Sequence, residues 1–407
     1  MRVDGLSKGP SDRMPQEMVP ARKPSRLPDE RNPMAYRILT LSPGSTSTKV
    51  AVFEGTEPVF KANVRHDPAE LAAFDLAKDQ LQYRIDTIER ELDKAGVTLE
   101  SIDAFSGYCG GMGPTIGGIF AIDETVCEHV LNCGMNHPAI LGAPILHSFA
   151  QKTGKPAFAV NQPDTDELDD VARITGYPGV YRKSHVHCLN QKECAIRYAA
   201  SIGKSYDEVN VIVAHVGGGL SVAAHRQGRM VDTNDVLEGS GPFAPNRSGD
   251  VPLKPVVALA FDGTHDKREI MNVIGKTGGL LGLVGTDDAI AINERIAAGD
   301  EWAKVVYEAM AYQTAKAIGA FAATLKGKVD GIILTGGVSN DKGFVAYIEE
   351  RVGWIAPVIA YGGDFEMEGS ASGAVRALKG TEEVMTYTGE PSWKGFAMEG
   401  AFADVEA

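Results

Sequence analysis

Short apolar segments separated by turns of small residues occur in the same arrangement in both halves of the chain. In each half, a strand-like run leads into a turn, Ser42-Pro-Gly-Ser-Thr-Ser-Thr in the first and Gly217-Gly-Gly-Leu in the second, and another strand-like run follows. A design that recurs within one chain predicts two related α/β domains. The strands predicted from these runs cover 36–41, 49–53, 209–216, 221–225 and 228–232.

The segments between and after these units have mixed patterns. Apolar residues at helical spacing predict helices, and short apolar runs that open into glycine loops predict buried strands. The alternation of the two predicts a partly parallel sheet, which binds ligands at the carboxyl ends of its strands. The helices are predicted over 69–96 and 303–325, from about 343 and from within 371–378, and the strands over 102–107 and 331–336.

Composition and charge restrict the classes of function. The 407 residues are 43% hydrophobic and 23% charged, which is typical of a globular protein with two domains, here predicted as 34–200 and 201–407. No apolar run approaches the roughly 18 residues of a membrane helix. A formal net charge of -14 repels the phosphates of nucleic acids and of anionic lipids. We therefore expect neither a nucleic acid nor a membrane as partner.

Residues 1–33 and the cysteines bear on the state of the chain in the cell. The segment 1–33 carries several prolines among charged residues, and it has neither a periodic apolar pattern nor the apolar region of a secretory signal. We expect a disordered extension, with Met34 as an alternative start that would leave it untranslated.

The five cysteines match no zinc or redox spacing, which predicts reduced thiols in a cytoplasmic protein.

Three loops are candidates for holding phosphate groups. Their small residues let backbone N–H groups approach an anion without a Cβ in the way. Each loop alone is a weak signal, because the chain has no P-loop or dinucleotide fingerprint. The first two loops, however, stand at matching points of two similar halves. The candidate residues are Ser45, Thr46, Ser47 and Lys49 in the first loop, Gly217, Gly218 and Gly219 in the second, and Gly336, Gly337 and Asn340 in the third.

With several further segments, these loops resemble the motifs of butyrate and branched-chain fatty acid kinases. The similarity spans about 36–380, and it implies an α/β fold of two duplicated actin-like ATPase (ribonuclease H-like) domains with a nucleotide cleft between them. That fold is the acetate kinase branch of the actin, sugar kinase and Hsp70 group. The matching segments begin at Pro43-Gly-Ser-Thr-Ser-Thr-Lys, Asp166-Glu-Leu-Asp-Asp, Arg182-Lys-Ser, His187-Cys-Leu-Asn-Gln-Lys, Ala214-His-Val-Gly-Gly-Gly-Leu, Gly239-Ser-Gly-Pro-Phe-Ala-Pro-Asn-Arg and Leu334-Thr-Gly-Gly-Val-Ser-Asn.

The resemblance also implies roles for individual residues. Arg247 would neutralise the phosphoryl group during transfer, a task that suits a guanidinium because it can bridge two anions. Gly217, Gly218 and Gly219 would bind the β- and γ-phosphates of ATP, and Gly336, Gly337 and Asn340 would line the adenosine pocket. His187 would point at the acyl phosphate, with a histidine packed against the strand as the equal alternative. Mg²⁺ would be held by Glu366, although Asp364 and Glu368 are equally well placed by sequence.

Three positions depart from the family pattern. Ser42 stands where the family has asparagine, and Cys109 where it has an arginine before a glycine pair. An aspartate of the family falls on Asn161 in an ungapped alignment, and Asp164 takes its place after a small shift. Loss of a charge clamp at a developing charge costs several kcal/mol in related systems, roughly hundreds-fold in rate. The nucleotide frame is therefore expected intact and the acid-side chemistry altered.

Three functions remain in competition at this level. The first is an acyl kinase that forms ADP and an acyl phosphate from ATP and a short-chain carboxylate, butyrate or isobutyrate by resemblance. The second is a nucleotide-binding protein of the same fold with weakened catalysis, suggested by Ser42, Cys109 and Asn161. The third is a sugar or glycerol kinase, which would need a polar pocket and a carboxylate base. The resemblance implies a homo-oligomer for the first.

Overall fold

Two β-sheets, of seven and five strands, form the frame of this computed structural model, which describes residues 35–396. The predicted extension over 1–33 and the alternative start at Met34 lie outside the described residues. The first sheet contains β1 (Arg37–Pro43), β2 (Ser47–Glu54), β3 (Glu57–Arg65), β4 (Ala104–Gly107), β5 (Ile119–Ala121), β6 (Ala157–Val160) and, from the end of the chain, β12 (Val384–Met385). The second contains β7 (Asn210–Val216), β8 (Leu220–Arg226), β9 (Arg229–Thr233), β10 (Gly331–Gly336) and β11 (Val358–Gly362).

Helices cover both sheets. In chain order they are α1 (Pro68–Leu71), α2 (Leu81–Lys94), α3 (Glu124–Asn132), α4 (Gly142–Thr153), α5 (Asp170–Arg173), α6 (Cys188–Ser201), α7 (Leu253–Ala260), α8 (Lys267–Asn272), α9 (Gly279–Val284), α10 (Ala289–Ala297), α11 (Glu301–Thr324), α12 (Lys342–Val352) and α13 (Glu366–Leu378). Within residues 35–396, none of the helices combines the length and the apolar composition of a membrane span.

The two sheets share one topology. In the first, β1, β2 and β3 form an antiparallel meander, and β4 pairs with β1 in parallel. In the second, β7, β8 and β9 form the same meander, and β10 pairs with β7 in parallel. The predicted duplication is therefore confirmed, and the two phosphate-loop candidates occupy equivalent hairpin turns, β1–β2 and β7–β8.

The predicted elements agree with the structure except where local breaks intervene. The helix predicted over 69–96 is wrong in its first half, because the chain forms the short α1, a loop and a 3-10 turn (Ala77–Gln80) before α2. Asp67 caps α1 by accepting a hydrogen bond from the Ala69 N–H at 2.8 Å, and Pro68 follows it, so this start belongs to a separate short helix. The last helix begins earlier than predicted, at Glu366.

Elements near the end of the chain return to the first sheet. β12 pairs with β5, and α13 packs Ala371 and Ala374 against Ile38 and Phe53. α11 instead packs across the second sheet in the largest buried apolar cluster. The predicted boundary between 34–200 and 201–407 stays a prediction, because the described residues form one compact unit.

Candidate functional site

The β7–β8 turn brings a cation and two imidazoles against its glycines. The Gly217 N–H donates to the Gly219 carbonyl at 2.9 Å and closes the turn. A Cβ on Gly219 would lie 2.5 Å from a terminal nitrogen of Arg247, and a Cβ on Gly217 would lie 2.8 Å from Nε2 of His215. Glycine is therefore required at both positions for these side chains to approach the backbone.

Arg247, His187 and His215 form a compact group beside this turn. The two imidazole rings are stacked with their centroids 3.9 Å apart. Burial, then His215 and Arg247, hold the pKa of His187 well below its ordinary value, and burial lowers the pKa of His215 to about 4. Both rings are consequently neutral at neutral pH, and the guanidinium is the positive charge of the group. His215 was missed by sequence reasoning, although it directly precedes the strand end that carries the glycine turn.

Hydrogen bonds orient this group from behind. His187 Nδ1 lies 2.8 Å from the Ser221 hydroxyl, to which the Gln191 side-chain amide also donates at 2.8 Å. Arg247 donates to the Val236 carbonyl at 3.2 Å, and its Nε is buried without a hydrogen-bond partner among the described residues. A buried, unpaired guanidinium N–H is costly, so it is a natural donor to an anionic ligand.

A histidine–aspartate pair supports the segment before Arg247. His185 Nδ1 lies 2.9 Å from both carboxylate oxygens of the buried Asp235. The Val236 N–H donates to the His185 carbonyl at 3.1 Å, which holds the residue whose carbonyl accepts from Arg247. Burial lowers the pKa of His185, but the hydrogen bond and charge of Asp235 outweigh it and raise the pKa above its ordinary value. Sequence reasoning missed this pair, because the two residues are distant along the chain.

The third loop lies against the end of β7. Gly336 has φ of 89°, and a Cβ there would lie 2.3 Å from the Val216 carbonyl oxygen. Gly336 and Gly363 exchange backbone hydrogen bonds of 2.8 and 3.1 Å. Gly337 and Asn340 are exposed, and the Asn340 side-chain amide donates to the Gly337 carbonyl at 3.0 Å. The second and third loops are thus neighbours, as the parallel pairing of β7 and β10 requires.

The carboxylates at the start of α13 are the candidate metal ligands. Burial, then the charge of Asp364, raises the pKa of Glu366 to about 7, and Lys49 opposes the shift. Asp364 accepts from the Asn190 side chain at 3.1 Å, and its charge also acts on His215. Glu368 instead forms a 2.8 Å ion pair with Lys61. Two repelling carboxylates, one with a raised pKa, fit the needs of a divalent cation, and the structure favours Glu366 and Asp364 over Glu368.

The first loop is the tip of the β1–β2 hairpin. The Gly44 N–H donates to the Ser47 carbonyl at 2.7 Å, which leaves Ser45 and Thr46 exposed at the turn. Ser47 is half-buried, and Lys49 is exposed on β2, within electrostatic range of Glu366. The Ser45 hydroxyl lies 3.4 Å from Nε2 of His137. Ser42 is half-buried and pairs with Lys49 in the register of β1 and β2.

Two of the predicted acid-side residues hold backbone segments. Asn161 is buried with φ of 43°, and its Oδ1 accepts from the Gly118 N–H at 2.9 Å. The Asp164 carboxylate accepts from the N–H groups of Gly111 and Met112 at 2.8 and 3.0 Å, and burial raises its pKa. A catalytic role of either stays a prediction. The contact of Asn161 is with backbone, whereas Asp164 lies within electrostatic range of His185.

The interpretation of Cys109 as the site of a lost cleft-facing arginine conflicts with the structure. The Cys109 side chain is fully buried within the apolar core of the first sheet, and burial raises the pKa of its thiol. The neighbouring Tyr108 is only half-buried. Burial, then the charges of Glu366, Asp164 and Asp364, raises the pKa of its phenol. The Tyr108 phenol therefore lies within electrostatic range of all three carboxylates, whereas the Cys109 side chain packs in the core and is affected by Asp164 alone among them.

The chain is similar to known proteins over most of its length. A model of the acetokinase family matches residues 175–352. Butyrate kinase 2 of Clostridium acetobutylicum is 41% identical over 356 residues, which cover 87% of this chain and 100% of the relative. A probable butyrate kinase of Coprothermobacter proteolyticus is 40% identical over the same shares.

Solved structures show the same fold. The crystal structure of Porphyromonas gingivalis acetate kinase has a TM-score of 0.69 at 20% identity, covering 84% of this chain and 99% of that one. The acetate kinase of Entamoeba histolytica has a TM-score of 0.68 at 14% identity, covering 84% of this chain and 100% of that one. With the sequence relatives above, the twin sheets and the three loops lead to one conclusion: the chain belongs to the butyrate kinase group of the acetokinase family.

Proposed function

We propose that the protein transfers the γ-phosphoryl group of ATP to the carboxylate of a short-chain fatty acid, reversibly, giving ADP and an acyl phosphate. The observation that carries the proposal is the half-buried Arg247 guanidinium, which lies against the Gly219 backbone with an Nε that lacks a protein partner. Similarity to the butyrate kinases supports carboxylate phosphorylation and lends nothing to the catalytically weakened or the sugar kinase alternative.

The chemistry asks for charge neutralisation and no general base. An ionised carboxylate oxygen attacks the γ-phosphorus, the bond to the ADP oxygen breaks, and no proton needs to leave the nucleophile. Neutral His187 and His215 then serve as hydrogen-bond donors to phosphate oxygens. The Gln191 amide donates to Ser221, so the Ser221 hydroxyl is free to donate to His187 Nδ1 and leave Nε2–H for the ligand.

The glycine loops and the carboxylates bind different parts of the Mg²⁺–nucleotide complex in this proposal. Gly217, Gly218 and Gly219 form the turn that binds the β- and γ-phosphates, with the Gly217 N–H closing the turn and the N–H groups of Gly218 and Gly219 available to the phosphates. Gly336, Gly337 and Asn340 line the adenosine pocket. Glu366 and Asp364 hold Mg²⁺, which screens the charge of the polyphosphate when bound. Burial and the charge of Asp364, which together raise the pKa of Glu366 to about 7, support this assignment.

The acid is butyrate or isobutyrate in this proposal. The support is the similarity of the chain, at about 40% identity, to a butyrate kinase and a probable butyrate kinase. One methylene group is worth only about 1–3 kcal/mol in an apolar pocket, so neighbouring acids such as propionate are expected as slower substrates.

We also propose a homo-oligomer in the cytoplasm. The segment around α7 and α8 carries apolar side chains on its surface, including Leu253 at 74% and Phe261 at 85% exposure. α7 is an apolar helix with no buried residue. Exposed apolar patches of this kind mark sites of protein–protein contact. The five free cysteines, four of them buried, suit a reducing compartment.

An acyl hydroxamate assay tests the proposal. Purified protein, MgATP and hydroxylamine are incubated with acetate, propionate, butyrate, isobutyrate or glycerol, and both hydroxamate and ADP are measured. We expect equal amounts of the two products, with butyrate or isobutyrate fastest and glycerol inert. Absence of hydroxamate with every acid, from protein that still binds ATP, would refute the proposal.

A further inference from the structure

Arg84 is a fully buried arginine whose guanidinium donates hydrogen bonds to backbone carbonyls of the first loop. It lies on α2 and has 0% exposure. Its guanidinium donates to the carbonyls of Gly44 and Ser45 at 3.0 and 3.2 Å. It also donates to the Thr48 hydroxyl at 3.1 Å and to the Gln80 side chain at 3.0 Å. Two of its four acceptors are therefore loop carbonyls, and all its terminal nitrogens point at the loop.

These bonds determine which way the loop amides face. In a trans peptide the N–H points opposite to the C=O of the preceding residue. Carbonyls held by Arg84 at Gly44 and Ser45 therefore turn the N–H groups of Ser45 and Thr46 away from α2. Neither N–H has a hydrogen-bond partner among the described residues, and both residues are exposed. The Thr46 carbonyl accepts from the His66 N–H at 3.0 Å, which fixes the following peptide as well.

Thr48 extends the same support to His66. The Thr48 hydroxyl accepts from Arg84, so its own hydrogen is available for His66 Nε2, 2.9 Å away. This arrangement needs a neutral His66, and burial together with the charge of Arg84 lowers its pKa to about 4. The arginine is therefore the charged group of this network at neutral pH, and it lies directly behind the two free amides.

We propose that Arg84 is a positioning residue for phosphoryl transfer, which presents the N–H groups of Ser45 and Thr46 to the phosphoryl group in transit. The inference rests on the proposed function. The loop joins β1 and β2 of the first sheet, and Tyr108 directly follows β4 of the same sheet, whereas the β7–β8 turn belongs to the second sheet and binds the nucleotide in the proposed function. In this proposal the loop of the first sheet contacts the transferred phosphoryl group. ATP and the acyl phosphate carry that group and ADP lacks it, so the loop contacts the first two ligands and not ADP.

Arg84→Lys tests the role, because an ammonium cannot reproduce the planar fork of a guanidinium. The matched control is Arg90→Lys on the same helix, where the side chain is exposed and bonds only within α2. Steady-state kinetics are run in both directions. For Arg84→Lys we expect the KM values of ATP and of the acyl phosphate to rise about tenfold, as for loss of a charge-assisted hydrogen bond. The KM values of ADP and of the carboxylate should stay unchanged.

Several results would overturn the inference. A KM of ADP that rises as much as that of the acyl phosphate would place the loop on the nucleotide. A melting temperature and kcat that fall with all KM values unchanged would show a merely structural role. If Arg84→Lys does not fold, Gln80→Met loosens the guanidinium instead, and it should raise the same two KM values by a smaller factor; unchanged values would refute the role. Wild-type protein that forms no acyl hydroxamate defeats the proposed function itself, whereas active wild type with Arg84→Lys kinetics equal to Arg90→Lys defeats only this inference.

Discussion

The imidazole rings of His187 and His215 lie face to face, with centroids 3.9 Å apart and planes inclined by 16°. Two stacked imidazoles beside a guanidinium cannot both carry a charge, and burial lowers the pKa of each. The two neutral imidazoles next to Arg247 can therefore donate hydrogen bonds without repelling its positive charge. This arrangement suits a reaction in which one anion attacks another and no proton is removed.

We expect His187→Ala and His215→Ala each to lower kcat by roughly a hundredfold, since each removes a donor to charge that develops in transfer. The double variant should lose less than the product of the two, because the rings support each other by contact. The hydroxamate assay measures all three. His265→Ala, an exposed histidine paired with Asp262, is the control and should retain wild-type activity. Full multiplicativity would show that the rings act independently.

Arg247→Lys should reduce kcat by roughly 10²–10³ while the Kd of ATP, measured by calorimetry, changes by less than about threefold. The reason is that the guanidinium bridges two groups only during transfer, and a lysine ammonium supplies charge without the fork. Arg226→Lys provides the comparison, because Arg226 forms a peripheral ion pair with Asp169 at 2.8 Å. An Arg247→Lys protein with wild-type kcat would remove this residue from the mechanism.

Magnesium activation should depend on the ionisation of Glu366. With a pKa of about 7 in the folded protein, Glu366 is protonated below pH 7 and ionised above it, so Mg²⁺ should bind more tightly as the pH rises from 6 to 8. The raised pKa also means that this group's contribution to stability is lost as the pH rises through 7. Mg²⁺ should therefore raise the melting temperature more at pH 8 than at pH 6.

The matched pair Glu366→Gln and Glu368→Gln identifies the ligand. Glu366→Gln should raise the Mg²⁺ concentration for half-maximal activity about tenfold and abolish its pH dependence, by loss of one carboxylate ligand. Glu368→Gln removes only the ion pair with Lys61 and should leave both unchanged. The opposite outcome would move the metal site to Glu368.

Cys109→Arg should damage the protein and add no activity. The position is fully buried in the core of the first sheet, and an unpaired guanidinium there would cost more than about 3 kcal/mol. Thermal unfolding should show a large loss for Cys109→Arg and a small one for Cys109→Ala, which keeps the site apolar. A stable Cys109→Arg protein with increased kcat would restore the idea of a missing catalytic arginine at this position.

The sequence predicts those parts of the site that local chemistry defines. The glycine turns at 217–219 and 336–337 are visible as clusters of glycine, and at Gly217, Gly219 and Gly336 a Cβ would lie 2.8 Å or less from another atom. Arg247 is visible through its motif. The sequence leaves three carboxylates as candidate metal ligands. The structure favours Asp364 and Glu366, because Glu368 forms an ion pair with Lys61, a residue far away in the chain.

Residues that act through long-range contacts were not predictable. Arg84 looks like any polar position of an amphipathic helix until α2 is placed behind the β1–β2 hairpin. Cys109 and Tyr108 are neighbours in the segment that follows β4, and only the tertiary structure shows that Cys109 is the one packed in the core. The return of α13 and β12 to the first sheet likewise depends on tertiary packing, which no local pattern records.

Oxygen transfer from the acid to phosphate tests the central claim most directly. The protein is incubated with ATP, hydroxylamine and butyrate labelled with ¹⁸O in both carboxylate oxygens. Hydroxylamine attacks the acyl carbon and releases the phosphate, whose isotopic content is read by ³¹P NMR. Attack of the carboxylate on the γ-phosphorus predicts one ¹⁸O in each released phosphate. ADP formed together with phosphate that carries no ¹⁸O would mean that water is the acceptor, and it would contradict the account.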